Sequence, residues 1–444
     1  MHSVPVAASV AAIVWSLGAA ASAQVPTPAG PRVGTPITTE RAGPPAPPAP
    51  QTDLPLLTPR DGPLPVSLTL QQALEEAEAR SPAIIAARAE VEAAEARIRQ
   101  AGFRTNPELS VEVENFAGTG ELSGFRGTES TVAVNQRLDL GGRRQARVGV
   151  ARAELAAAQL RLAIARADLA QQVREQFARA VTARERLRLA RENEERAREL
   201  ARIAGVLVDA GREPPLRGLR ARSAAAQAAA ELEAARAEEA ASRGLLASLF
   251  GVSSPPEAVV GALLDLQPRT IDPEQSLDVR LADTERLIAE ANLRQEQVAR
   301  RLDPAVGLGV RHVRETGDVA LVGGISMPLP VFDRNQGNIA AARSNVLAAE
   351  ARRASAAASA RVRGQNAIAN VAAAEARVEA LEGAAIPEAA EALRLTLRSY
   401  QEGRASLLEL LDAQEAYRNA QAALIDARLA LALATAELGR IAAQ

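Results

Sequence analysis

Apolar positions along this chain follow two periods, and the switches between them mark out its elements. From Ser67 the pattern is helical: Thr69 and Gln72 have the spacing of an N-cap and its return partner, and the run Ala73 to Ala101 is rich in Ala, Glu and Arg. Gly102 ends the run, with Asn106-Pro107 beyond it. The period then drops to two. Leu109, Val111 and Val113 alternate with Ser110, Glu112 and Glu114, which predicts a strand. Ala117 to Gly127 is a Gly-rich loop, and Thr128 to Leu138 predicts a second strand with Val132 and Val134 on one face. Leu140-Gly141-Gly142 breaks it. A proline-free helical tract runs from Arg143 to about Val208, long enough for a rod of roughly 95 Å. Gly211, Pro214 and Pro215 interrupt it, and a shorter helix follows from about Leu216 to Phe250.

The same order then recurs. Residues 251–275, with Pro255-Pro256 and Pro268, read as an irregular connector. A helix spans about Ser276 to Leu302, and Asp303-Pro304 leads into a strand carrying Val306, Leu308 and Val310. A short turn near Glu315–Asp318 precedes another strand, about Val319 to Met327. A second long helix runs from about Gly337 to Gln401, Gly403 breaks it, and the last helix extends from Ser406 to the C-terminus. Gly211-Arg212 and Gly403-Arg404 have the same offset as Leu216/Leu219 and Leu408/Leu411 (403 − 211 = 192). A large internal duplication is therefore predicted. One unit covers residues 67–250 with its hairpin at 108–138; the other covers 276–444 with its hairpin at 304–327.

Leu410, Tyr417, Leu424, Leu431 and Leu438 recur every seven residues, as do Leu155, Leu162 and Leu169, which is coiled-coil spacing. Small Ala side chains beside them let helices approach closely, and the Arg and Glu between them make a solvated face. The strands carry the sharper statement. Each is about 9–11 residues, the span of a tilted transmembrane β-strand. Phe103, Phe116, Phe125 and Phe332 fall at or near strand ends or in the hairpin loop, where aromatic girdles anchor barrels. The alternation would turn Val111, Val113, Val132 and Val134 towards lipid and Glu112 and Glu114 towards a lumen. Four strands cannot close a pore and open edges do not survive in lipid, so a membrane location requires several copies to share one barrel. The alternative is a pair of soluble hairpins on a helical body, a periplasmic coiled-coil scaffold.

Composition narrows the chemistry. The 444 residues hold 52 basic residues, all Arg, against 54 acidic ones, for a net charge of −2. That is too little positive charge for phosphate neutralisation, so no nucleic-acid partner is expected. Cys is absent and His limited to His2 and His312, which leaves almost nothing for a thiolate or imidazole metal site. No Gly-rich phosphate loop or nucleophile motif appears, and the carboxylates sit at helical-surface spacing. No enzyme activity, cofactor or resident metal is expected. Nine aromatic residues (six Phe, two Tyr, one Trp) are few for globular cores, and long packed helices fit better.

At the N-terminus, Val4 to Ala20 is almost wholly apolar and Ala21-Ser22-Ala23 precedes Gln24 in the small-x-small form of a cleavage site. Residues 1–23 therefore read as a signal peptide, with an uncleaved anchor as the alternative. Residues 24–66 form a Pro-rich leader that cannot propagate a helix. Without Cys, a lipid-bearing mature N-terminus is not expected.

This order of elements, behind a signal peptide, resembles the TolC-type outer-membrane efflux proteins over residues 67–444. Asn106-Pro107-Glu108-Leu109 opens the first hairpin and Asn135 to Arg144 (NQRLDLGGRR) closes it, as in the heavy-metal, CzcC-like branch. Tyr400-Gln401-Glu402-Gly403 followed by Leu407 to Gln414 (LLELLDAQ) is similar to the family's second helical tip. The resemblance implies a mainly α fold with a membrane β-barrel: a homotrimer, four strands per chain closing a twelve-stranded barrel, and a long α-helical periplasmic tunnel. It implies passive conduction of heavy-metal cations received from an inner-membrane RND transporter through a periplasmic adaptor, within outer-membrane lipid. The adaptor would dock at the tips around Gly211, Arg212, Gly403 and Arg404, and an acidic entrance ring would fall on Glu409 and Asp412. A drug-efflux or type I secretion component would share the fold.

Overall fold

The helical and extended stretches separate in space. A computed structural model describes residues 62–122, 124–261 and 272–443, Glu121 for its backbone alone. The signal peptide expected at residues 1–23 and most of the leader expected at 24–66 lie outside the described residues. In chain order the elements are β1 (Ser67–Leu68), α1 (Leu70–Arg80), α2 (Pro82–Gly102), β2 (Glu108–Glu114), β3 (Glu129–Arg137), α3 (Arg143–Asp209), α4 (Pro215–Ser248), β4 (Ala258–Val259), α5 (Leu277–Ala299), β5 (Ala305–Val313), β6 (Asp318–Ser326), α6 (Gln336–Ala380), α7 (Ile386–Gln401) and α8 (Leu407–Ile441).

α3 is the spine. Its 67 residues extend about 100 Å at the helical rise, and α2, α4, α5 and α8 pack along it. Gly141 and Gly142 make the entry possible. Both have positive φ, 78° and 86°, a region costly for residues with a Cβ. Alanines fill the contacts between helices: Ala157, Ala180, Ala183 and Ala204 of α3 and Ala360, Ala367, Ala427 and Ala436 of the second half are all buried. The heptad of α8 forms part of this packing. Leu431 and Leu438 are buried against Val371 and Val378 of α6, with Leu424 partly buried beside them. Arg440 ties three helices together by pairing with Asp168 of α3 and with Asp278 of α5, the latter at 3.2 Å.

Among the described residues the largest core cluster joins α1 and the segment just before it to the connector. Leu68, Ala73, Ala77, Val173, Phe177, Leu246, Phe250 and Val259 are buried together, and β1 pairs in parallel with β4 through Ser67↔Ala258 and Leu68↔Val259. The connector, expected to be irregular throughout, thus contains a strand.

Two helices expected to be continuous are interrupted. The run from Ala73 breaks at Ser81, whose ψ of 122° is extended, because the proline ring of Pro82 crowds the residue before it out of the α region. Pro82 then starts α2 at a position where its missing N–H costs nothing. The long helix of the second half widens to a π-turn over Leu381–Ala385, where the Ile386 N–H donates to the Leu381 carbonyl five residues back. Pro387 follows immediately. It has no N–H for the carbonyl four residues back and its ring would strike that carbonyl, which a wider turn relieves.

Candidate functional site

Helix packing leaves two regions of unexplained chemistry, the sheet and the pair of helical tips. The sheet has the order β2-β3-β5-β6, antiparallel throughout, with β2 and β6 unpaired on their outer edges among the described residues. Directly opposed residues in such a sheet share a face. Val111 opposes Val132, Val132 opposes Val310, and Val310 opposes Leu321, so an apolar row crosses all four strands. Leu109, Val134 and Leu308 form the next row, and Val113 lies on the same face opposite Ser130. The structure therefore brings Val111, Val113, Val132 and Val134 together on one face. All four are exposed, and Leu321 is 90% exposed. A contiguous apolar face of this size marks contact with a membrane or another protein.

The opposite face is polar. Glu112 opposes Thr131, which opposes Arg311. The Arg311 guanidinium pairs with Glu129 at 2.8 Å and Glu114 at 3.2 Å, and its Nε donates to the Thr131 hydroxyl at 3.0 Å. This ladder crosses three strands and penalises any register slip, which would move the charges onto the apolar face.

Each half of the chain also ends a long helix in the same tip. The Arg212 N–H donates to the Leu207 carbonyl at 2.9 Å and Gly211 to Val208 at 3.0 Å; Arg404 donates to Ser399 at 2.8 Å and Gly403 to Tyr400 at 3.0 Å. These are Schellman turns, with Gly211 at φ 68° and Gly403 at φ 73°. The partners in the two turns are related by the 192-residue offset seen in the sequence (399 − 207 = 192). Arg212 and Arg404 are exposed, and Arg404 pairs with Glu402. Leu216, Leu219 and Leu408 also stand exposed at the tips.

The tips lie against each other. Ala204 of α3, Ala221 of α4 and Leu407 of α8 are buried together, with Tyr400 and Leu411 packed on them. The Tyr400 hydroxyl is buried, with no hydrogen-bond partner among the described residues. Burial pushes its pKa up, and the neighbouring Glu213 carboxylate adds to the rise. Glu409 is exposed and caps α8: the Ser406 N–H donates to its carboxylate at 2.6 Å, and its own N–H donates to the Ser406 hydroxyl at 3.3 Å. The backbone and side-chain hydrogen bonds with Ser406 hold the Glu409 carboxyl below its usual range. Asp412, one turn on and also exposed, lines a cleft of about 350 Å³ between the tips with Leu408, Leu411, Glu415 and Arg418. Sequence reasoning missed the Ser406 cap, although Ser-x-x-Glu is its signature. The contact of Tyr400 with the other tip is tertiary and leaves no local signal. Among the described residues no group of His, Cys, Asp or Glu could hold a metal ion, and no helix is long and apolar enough to cross a membrane.

An amphipathic sheet with open edges, set on a duplicated body of long helices, is the architecture of an outer-membrane channel subunit. The chain belongs to the outer membrane efflux protein family, whose profile matches residues 73–252 and 274–444. It is similar to the nickel and cobalt resistance protein CnrC of Cupriavidus metallidurans, 35% identical over 302 residues that make up 67% of this chain and 72% of that one. The cobalt-zinc-cadmium resistance protein CzcC of the same organism is 31% identical over 355 residues, 78% and 83% of the two chains. Solved structures share the fold, VceC and CusC among them. VceC of Vibrio cholerae matches with a TM-score of 0.71 at 22% identity over 84% of this chain and 96% of that chain, and CusC with 0.73 at 17% identity over 84% and 92%. The resemblance read from the hairpin and tip motifs thus holds for the family, which makes the chain a non-enzymatic transport protein of the outer membrane with its helices in the periplasm.

Proposed function

We propose that the chain is the outer-membrane conduit of a tripartite heavy-metal efflux system, passing divalent cations outward without holding them. The cargo reading rests on the relatives, whose names give nickel, cobalt, zinc and cadmium. The observation that carries the conduit is the sheet: β2 and β6 each keep an open edge beside an exposed apolar face, and hydrocarbon admits no open edge. Three copies, twelve strands in all, would pair β2 of one chain with β6 of the next and leave the Arg311 ladder facing the lumen. The energy comes from the inner-membrane RND transporter, reached through a periplasmic adaptor docked at the tips around Gly211, Arg212, Gly403 and Arg404. Glu409 and Asp412, repeated in each copy, form a negative ring that concentrates cations at the tunnel entrance.

The test is the mass of the purified protein in detergent, its conductance in planar bilayers, and the metal sensitivity of a deletion strain. The expected result is a trimer forming cation-preferring channels, and a deletion strain whose lost resistance to cobalt, nickel, zinc or cadmium returns with the gene. Restored resistance to drugs alone would make it a drug-efflux component instead. A protein that never inserts would leave the hairpins as part of a periplasmic scaffold.

A further inference from the structure

The four connections between helices and strands all lie at one end of the sheet, and they are unusually basic. Segments 97–108, 136–147, 294–304 and 327–343 together hold twelve arginines and five carboxylates, in a chain whose net charge is −2. At the loop end, segments 114–129 and 311–318 hold three arginines and five carboxylates. The charge is thus polarised across the height of the sheet, which is about 25–30 Å for strands of this length.

Some of these arginines serve the fold. Arg143 pairs with Asp303 at 3.2 Å, Arg147 with Asp139 at 3.3 Å, and Arg301 donates to the Gly141 carbonyl at 2.6 Å. The other nine are exposed and have no ion pair among the described residues, and four of them, Arg104, Arg144, Arg300 and Arg334, fall one at each junction. Each falls within four residues in sequence of an exposed large apolar residue at its own junction: Phe103 with Arg104 before β2, Leu140 with Arg144 after β3, Leu302 with Arg300 before β5, and Phe332 with Arg334 after β6. Phe332 is 91% exposed. An exposed arginine and an exposed large apolar residue within one short segment, repeated at every junction, suit the boundary between acyl chains and phosphate headgroups. A soluble collar would have little use for the apolar member, and a purely electrostatic contact would not need it.

We propose that this collar is a docking surface for anionic phospholipid, the apolar residues entering the acyl boundary of the periplasmic leaflet and Arg104, Arg144, Arg300 and Arg334 engaging lipid phosphates. The inference rests on the sheet lying in the outer membrane, as proposed above. It adds that the collar selects negatively charged lipid, which a net charge of −2 would not do by itself.

The test uses the purified full-length protein, transferred from detergent to phosphatidylcholine vesicles with or without phosphatidylglycerol, and measures vesicle-associated protein by flotation. At low salt, phosphatidylglycerol is expected to raise association by about fivefold for each arginine engaged. The preference is expected to vanish in molar salt, where the screening length falls to roughly 3 Å, and in the combined R104Q/R144Q/R300Q/R334Q variant. Should that variant fail to fold, the salt dependence of the unaltered protein decides. Equal association with both vesicles at low salt overturns the collar while leaving the channel intact. So does a folded variant that keeps the lipid preference and changes only conductance, because its arginines would then face the lumen. Association with neither vesicle overturns the membrane reading itself.

Discussion

Arg217 and Glu409 occupy the same position in the two helical tips, the third residue of α4 and of α8, with opposite charge. The difference follows from the residue that starts each helix. Ser406 offers a backbone N–H, and the Glu409 carboxylate accepts it. Pro214 has no N–H to offer, so a glutamate at the equivalent place would have nothing to cap. Arg217 sits there instead and pairs with Glu213, the residue before the proline. The duplicated tips thus present an acidic helix start on one hairpin and a basic one on the other.

Cap and charge at Glu409 can be separated. Glu409→Gln keeps an amide oxygen to accept the Ser406 N–H and removes the charge, so the melting temperature should barely move while cation preference in single-channel recordings falls, further when combined with Asp412→Asn. Ser406→Ala should do the reverse, costing about 1 kcal/mol of local stability with selectivity retained. Unchanged selectivity in the doubly neutralised variant would remove the entrance ring.

The same pair has a signed pH dependence. Folding depresses the Glu409 carboxyl, so its contribution is complete above the usual carboxylate range and is lost as pH falls through the depressed value. Amide exchange at the start of α8, corrected for its intrinsic pH dependence, should therefore be constant from neutral pH down to the carboxylate range and accelerate below it. In Glu409→Gln that acid-side acceleration should be absent.

The sheet faces predict opposite tolerances. Val132→Arg places a charge on the exposed apolar face, and at mid-membrane depth it should cost about 2–4 kcal/mol of insertion. Glu112→Gln, on the polar face, should insert normally. Yield of membrane-extracted oligomer separates them, and equal yields would mean that the apolar face does not meet lipid.

Much of this architecture is legible in the amino-acid order, and the reasons are physical. α3 and α8 carry one period over dozens of residues, and β2 and β3 alternate so regularly that one face can be followed residue by residue. The tip glycines stand out as a pair because duplication preserves their spacing. The features without a sequence signal are short or tertiary. The two-residue β1·β4 pairing joins positions 67 and 258 and has no local period. The break at Ser81 does have a signal, Pro82, but it lies inside a run whose Ala and Glu content reads as helix. The contact between Tyr400 and the first tip depends on how two hairpins lie together, which neither hairpin encodes alone.

Gly211 and Gly403 should be equally intolerant of a side chain, for backbone reasons only. A Cβ at either position would meet nothing within 4 Å, yet both have positive φ. Gly403→Ala and Gly211→Ala should each lower stability by about 1–2 kcal/mol, read as a fall in the thermal midpoint of the helical signal. A fall at only one tip would show that the shared turn is not equally important in both halves.

Pro387 stands two residues past the π-turn. The corresponding stretch of α3 is regular α-helix, and only the second half has the wider turn over Leu381–Ala385. Below it, α7 buries none of its residues in the single chain, so few contacts oppose its movement about the turn. Pro387→Ala restores the missing N–H and removes the ring, which should let the helix tighten around Gly383 and slow amide exchange through residues 381–390. If α7 moves about this point, the variant should also reduce the open fraction of single channels without altering their cation preference. Slower exchange with unchanged opening would confine the π-turn to accommodating proline.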